Sequence, residues 1–462
     1  HHFVKGNLKI YQKCQLCHHG FQSSSGSFDG ERCSRCNVTV HSRCLKEIDV
    51  LECVPKHCDL LYDPDMNDEG VSEASSPLRS GRSPLIAFVN ARSGGGQGRM
   101  VFAKLRKLLS PAQVFDLSDG GPKPALLAFK DVPNLRVLCC GGDGTCCWVL
   151  SVLDKMEWAV PYPPIAILPL GTGNDLSRAL GWGPGYADEP ISPTLDAISK
   201  AYSINLDRWS VQYFDNDAKK DENLESDEPL FSSMTMNNYW SIGVDAKVAL
   251  DFHRMREEKP HYFVSRTVNK GWYGLYGMKE MKGSYGPLCK VAKLYLDGDE
   301  VELRDNIEGI IVLNIPSYAG GCDLWGKVTG PSSSGSQQRV WRRQSMSDGL
   351  LEVVGVKGTF HMAKIQTGAS KGRRLGQASV VKVEFTVPMA TQVDGEPAEQ
   401  APGSIIIVKH TSGNMLANSS TARWRRDSFG GTTHVDHISQ DPGSGDPEEA
   451  EVSDKAKHGG AA

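Results

Sequence analysis

No stretch of the sequence approaches 18 consecutive apolar residues, so none has the length of a membrane-spanning helix. A dominant charge is also missing. The 51 Lys and Arg against 55 Asp and Glu leave a formal net charge of -4, which supplies no global attraction to nucleic acid or to anionic lipid. Nothing resembles a disulfide framework. Seven of the 13 cysteines fall within the first 58 residues at metal-ligand spacings, and the pairs Cys139–Cys140 and Cys146–Cys147 sit in apolar, helical sequence. That usage fits a reducing, cytoplasmic compartment. What remains, 39% hydrophobic and 23% charged residues over 462 positions, is an ordinary globular composition with room for two or three cores.

The chain is organised around Gly141-Gly142-Asp143-Gly144-Thr145. An apolar, strand-like run from Leu135 to Cys140 precedes it, and Cys146, Val149, Leu150 and Leu153 follow at helical spacing. Glycines in such a turn let backbone amides approach a phosphate, with a helix N-terminus facing the same point. Asp143 then stands where a carboxylate can hold magnesium against that phosphate. The same unit occurs twice more. Pro84–Ala91 leads into Arg92-Ser93-Gly94-Gly95-Gly96-Gln97-Gly98, and Ile165–Leu170 leads into Gly171-Thr172-Gly173-Asn174-Asp175. Three strand, Gly-rich loop and helix units predict a parallel sheet whose loops gather at one edge to form a nucleotide site.

Ahead of these units, residues 1–58 are rich in Cys and His and poor in apolar runs, a core that needs a metal staple. His1, Cys14, Cys17, Cys33, Cys36, His41, Cys44 and Cys53 supply eight ligands, enough for two tetrahedral zinc sites. His2 competes with His1, and Cys58 is left over. The acidic, Ser/Pro/Gly-rich stretch 59–82 reads as a linker, and 215–229 as an acidic insert. After Asp207 the pattern turns to alternating strands such as Val381, Val383, Phe385 and Val387, which predicts a mainly antiparallel β domain. Residues 330–338 read as a low-complexity loop, and the tail from 411 to 462 lacks a core pattern. The expected architecture is therefore α/β plus β: a zinc module (1–58), a linker (59–82), an α/β nucleotide domain (83–206), a β-rich domain (207–410) and a tail.

In the zinc module the leading His1-x-Phe3 and single closing Cys53 resemble a C1 domain. A PHD-type finger would need a closing Cys-x2-Cys. In the C1 family His1, Cys33, Cys36 and Cys53 hold one ion, and Cys14, Cys17, His41 and Cys44 the other. Downstream, Leu168-Pro169-Leu170-Gly171-Thr172-Gly173-Asn174-Asp175, Leu206-Asp207-Arg208-Trp209, Asn314-Ile315-Pro316-Ser317-Tyr318, Ser347-Asp348-Gly349-Leu350 and Asp394-Gly395-Glu396-Pro397 occur in that order. Together with Gly141–Thr145 they resemble a eukaryotic diacylglycerol kinase. The simplest members carry two C1 modules, so with one module and a start at His1 an N-terminal truncation is expected.

The resemblance implies transfer of a phosphoryl group from ATP to diacylglycerol by a protein peripherally associated with membranes. It implies Asn90, Ser93 and Gly94 at phosphates, and Gly141, Gly142, Asp143, Gly144 and Thr145 around the triphosphate and Mg2+. Gly171, Thr172, Gly173 and Asn174 would border the nucleotide. Asp348 and the Leu350 carbonyl would hold a structural magnesium, and Glu396 would be the general base. The chain departs from the family in its glycine-rich loop Ser93–Gly98, at Cys146–Cys147, at Ala398 and over Ala369–Arg373, and none of these departures removes an expected catalytic group. Asp394 should brace its Asp-Gly turn. Asp297-Gly298 is a comparison turn without chemistry. An NAD kinase-like enzyme, a sphingoid or ceramide kinase, and a non-catalytic lipid-signalling adaptor are the alternative readings.

Overall fold

The computed structural model describes residues 3–5, 8, 11–21, 29–33, 36, 38–51, 57–62, 82–158, 162–215, 231–259, 286–328 and 341–418. His1, Cys53, most of the linker, the acidic insert beyond Asp215, the 330–338 loop and the tail beyond 418 lie outside them.

In the N-terminal module, β1 (Phe3–Lys5), β2 (Glu31–Cys33) and β3 (Thr39–Val40) form a small antiparallel sheet. The parallel sheet then takes β4 (Leu85–Val89), β5 (Val114–Asp116), β6 (Arg136–Gly141) and β7 (Ile165–Pro169) in the order β7-β6-β4-β5. Its helices are α1 (Gln97–Leu108), α2 (Lys123–Ala128), α3 (Asp143–Asp154), α4 (Asp175–Ala179) and α5 (Ser192–Ser199). Every residue of β4 is buried because alternate side chains enter two cores. Ile86 and Phe88 pack with Leu126, Val149 and Leu153 on one face, while Leu85, Ala87 and Val89 pack with Val101, Leu105 and Leu195 on the other.

The remainder comprises β8 (Tyr202–Asp215), β9 (Phe231–Met236), β10 (Tyr239–Gly243), α6 (Val244–Glu258), β11 (Ala292–Leu296), β12 (Asp299–Val301) and β13 (Gly309–Leu313). These are followed by β14 (Leu351–Val356), α7 (Thr359–Gln366), β15 (Arg373–Ala378), β16 (Val380–Phe385), β17 (Met389–Val393), β18 (Glu396–Gln400) and β19 (Gly403–Ala417). Six of these strands make an antiparallel sheet, β15-β14-β13-β10-β17-β18. Trp209, Trp240, Leu294 and Val353 lie in the core that it shares with β8, β11 and β16.

Three expected boundaries move. Strand β8 crosses the proposed 206/207 border without a break, and β19 pairs with it over its length. On its other side β19 meets β16 and then, at Met415, runs parallel to β7. One ten-stranded sheet therefore joins the parallel and antiparallel parts. The tail begins after this strand rather than at 411, because Met415 and Leu416 fill the α/β cores. The linker is also docked at its start. Leu60 is fully buried, and the Gln113 side chain donates to the Leu60 and Leu85 carbonyls (2.8 and 2.7 Å) while accepting from the Tyr62 amide (3.0 Å). The His57 ring meets Ser192 Oγ at 2.9 Å and Asp196 at 3.1 Å.

Candidate functional site

The three Gly-rich loops meet at the C-terminal edge of the parallel strands. Asn90 leaves β4 with its amide on the Cys140 carbonyl (3.0 Å) and its side-chain amide on Thr145 Oγ1 (3.3 Å), so the first loop is pinned to the second. Ser93 donates its amide to the Asn90 carbonyl, and Gly94, Gly95 and Gly96 then follow with φ of 65, 66 and 96°. Three consecutive left-handed residues explain why this loop needs its run of glycines. The second and third loops abut. A Cβ on Gly171 would lie 2.6 Å from the Gly142 Cα, so a side chain there would drive the loops apart. The Leu170 amide seals the junction on the Gly141 carbonyl (2.8 Å). At α3 the first amides have no partner within the helix and carry its positive end toward this edge.

Asp143 opens α3. Its Oδ2 accepts the Asp175 amide at 2.8 Å, while its Oδ1 is sealed from solvent and has no protein partner. Burial, then the charge of Asp175, push its carboxyl up to about 7, and Asp394 adds to the rise. A buried carboxylate oxygen without a donor is costly unless something else meets it.

Asp175 was not singled out from sequence, yet it links the two sheets. It is buried, and its carboxylate accepts Ser317 Oγ at 2.6 Å and the Gly320 and Gly321 amides at 3.0 and 3.1 Å. Asp207 was missed as well. It is buried, accepts the Gly349 amide (2.7 Å), pairs with Lys409 (2.6 Å), and so fixes the loop that carries Asp348. The signal for both was an acidic residue placed directly beside an apolar segment.

Asp394-Gly395 is a two-residue turn between the paired Val393 and Glu396, with φ of 50 and 88°. The Asp394 carboxylate accepts the amides of Asn237, Asn238 and Tyr239 at 2.8, 2.7 and 3.0 Å, and burial raises its pKa against those donors. Its carboxylate braces the β9–β10 connection rather than its own turn, which is tied there by the Asp394 amide on the Tyr239 carbonyl (2.9 Å). Glu396 is exposed at the start of β18. The comparison turn at Asp297-Gly298 has the same backbone, and Asp297 likewise accepts amides, from Ser379 and Val380, but on the exposed surface. Asp348 accepts the Leu350 amide (3.1 Å); burial raises its pKa, and Asp207 contributes. Nearby, the Glu352 carboxyl is fully buried and pushed well up by burial, with Oε1 on Gln377 and Oε2 without a partner.

In the N-terminal module the ligand atoms of Cys14, Cys17, His41 and Cys44 lie within 4.8 Å of one another. His41 Nδ1 faces the Cys17 sulfur (3.3 Å), and Nε2 meets the Gly20 carbonyl (3.0 Å), the partner that orients a metal-ligating imidazole. This donor set suits zinc. Cys33 is buried, and Cys36 is also described, but their expected partners His1 and Cys53 lie outside the described residues.

Three family models match the chain in order. They are the phorbol ester/diacylglycerol binding (C1) domain over residues 1–56, the diacylglycerol kinase catalytic domain over 84–207 and its accessory domain over 235–397. Human diacylglycerol kinase theta is 46% identical over 326 residues, 70% of this chain and 34% of the relative. Diacylglycerol kinase 1 of Arabidopsis thaliana is 39% identical over 349 residues, 74% of this chain and 46% of the relative. The chain thus spans less than half the length of these two relatives. Among solved structures, a diacylglycerol kinase of Bacillus anthracis aligns with a TM-score of 0.43 at 16% identity, over 73% of this chain and 98% of that one. By its three matched domains and by its identity to these kinases, the chain belongs to the eukaryotic diacylglycerol kinase family.

Proposed function

We propose that this chain transfers the γ-phosphoryl group of ATP to the primary hydroxyl of diacylglycerol, giving phosphatidic acid, while bound peripherally to a cytoplasmic membrane surface. The observation that carries the reading is Asp143: one oxygen is fixed by the Asp175 amide, and the other is buried without a partner where three Gly-rich loops converge. Phosphoryl transfer asks little covalent work of a protein and much positioning. Asn90, Ser93 and Gly94 with Gly141–Thr145 surround the phosphates, and Gly171–Asn174 border the nucleotide. The amides of Asn90, Ser93 and Thr145 are taken by the Cys140, Asn90 and Gly142 carbonyls, so these three contribute their side chains. The carboxylate oxygens of Asp143 suit Mg2+, a hard cation, which when bound neutralises charge on the phosphates. Asp348 and the Leu350 carbonyl, beside the unpartnered oxygen of Glu352, form a second oxygen-rich place for a structural Mg2+. Glu396, exposed next to the rigid turn, orients the lipid hydroxyl and accepts its proton.

Two zinc ions complete the assignment, one at Cys14, Cys17, His41 and Cys44 and one at His1, Cys33, Cys36 and Cys53. The test is transfer from labelled ATP to diacylglycerol in mixed micelles by the wild-type chain and by Asp143→Asn. Wild-type turnover that is lost in a folded variant supports the reading. Equal turnover by both proteins contradicts it.

A further inference from the structure

Besides Glu352 on β14, a second carboxylate among the described residues is fully buried outside the loops: Asp245, in the first turn of α6. Its partners come from three separate segments. Ser241 on β10 donates its hydroxyl to Oδ2 at 2.5 Å, Gln392 on β17 donates its side-chain amide to the same oxygen, and the Tyr318 hydroxyl donates to Oδ1. Burying a charge is expensive even with good donors, and an apolar side chain of similar size could fill the space. What the three donors share is their place next to the site. Tyr318 begins the turn that closes on Cys322 (3.0 and 2.8 Å), and the Gly320 and Gly321 amides of that turn hold Asp175. Gln392 stands two residues before Asp394, and Ser241 lies on the strand whose first residue, Tyr239, donates its amide to Asp394.

We propose that Asp245 is a positioning residue for the phosphoryl-transfer site: it fixes the Tyr318–Cys322 turn, through that turn Asp175, and through the Asp175 amide the Asp143 carboxylate. The inference rests on the function proposed above. Asp245 itself touches none of the loop residues assigned to phosphate or metal. Its effect travels through hydrogen bonds, and Tyr318 carries the longest link. The Tyr318 ring packs edge-on against Tyr239 at 4.9 Å, so Tyr318→Phe preserves the packing and removes one hydroxyl. Asp245→Asn preserves the shape but sets a side-chain amide among donors.

The experiment compares the wild-type 462-residue chain with Tyr318→Phe, Asp245→Asn and the double variant. It reads ATP turnover on diacylglycerol micelles against magnesium concentration, thermal melting, and hydrogen exchange of the peptide spanning 315–323. Tyr318→Phe should melt close to wild type while exchange accelerates in that peptide. Its kcat should fall on the order of 10- to 100-fold, with a higher magnesium requirement and little change in KM for ATP. The double variant should lose no more than the weaker single variant, because both substitutions break one chain of contacts. Wild-type exchange and magnesium dependence in a folded Tyr318→Phe would overturn the proposal. So would a melting loss in both single variants without faster exchange at the turn, which is the mark of a purely structural residue. If the wild-type chain fails to phosphorylate diacylglycerol, the functional reading falls, while exchange at 315–323 still decides whether Asp245 and Tyr318 hold the turn.

Discussion

Asp143 makes the folded protein less stable as pH rises, and removing its charge should reveal by how much. The carboxyl is held up at about 7 against an ordinary 3.8, first by burial and then by the charge of Asp175. An unfolded chain gives up this proton near pH 4, whereas the folded chain keeps it until about pH 7. Between those values the folded state binds more protons, so stability falls as pH rises, and the loss is complete above about 7. At about 1.4 kcal/mol per pKa unit the full rise corresponds to about 4 kcal/mol, an upper figure because the side chain keeps some contact with solvent. Asp143→Asn removes the charge and leaves an oxygen for the Asp175 amide. In magnesium-free buffer with zinc retained, the variant should gain on the wild type between about pH 5 and pH 8 by up to about 2.7 kcal/mol, from the roughly two pKa units of the rise that lie above pH 5. The assay is urea unfolding of both proteins at the two pH values. Adding magnesium and ATP at the higher pH should then stabilise the wild type and leave the variant nearly unmoved. A stability difference independent of pH would refute the reasoning.

Glu396→Gln should fold, bind ATP and lose on the order of 10²–10⁴ in kcat, measured by steady-state turnover; wild-type kcat would remove Glu396 from the mechanism. Asp394→Ala strips the acceptor from three backbone amides, at about 1–3 kcal/mol for each one left buried and unpaired. Asp297→Ala exposes its donors to water and should cost less than about 1 kcal/mol, so denaturant midpoints should separate the two turns clearly. Elemental analysis should find about two zinc ions per chain, and chelation should unfold residues 1–58 while the parallel sheet stays folded. A zinc content near one would refute the two-site assignment.

The Gly-rich loops were legible because their chemistry is local: each strand, glycine turn and helix forms one continuous segment, the longest being Leu85–Leu108, and the Cys and His spacings are equally short-range. The acids that organise the site were not. Asp175 gains its role from Ser317 and Gly320, more than 140 residues away, and Asp245 from Tyr318 and Gln392. No periodicity reports such contacts. Polar Thr411-Ser412-Gly413-Asn414 and the register shift between Lys409 and Thr411 interrupt the alternation of β19, which hid the strand's last turn into the α/β core. Leu60-Leu61-Tyr62 is too short an apolar patch to signal a docked segment, and Leu60 is buried by Leu85, Leu105 and Leu195 from beyond the linker, with Gln113 holding its carbonyl. The border at 207 fell where the composition changes, but backbone pairing across β8 and β19 ignores composition.

The central claim is the acceptor. The 462-residue chain, with labelled ATP and magnesium, should be offered diacylglycerol, sphingosine, ceramide and NAD side by side in the same detergent–lipid micelles. Label should enter phosphatidic acid, with turnover on the other three acceptors lower by orders of magnitude. Preferred labelling of sphingosine, ceramide or NAD, or no transfer to any acceptor by a folded, zinc-loaded chain, would contradict the account.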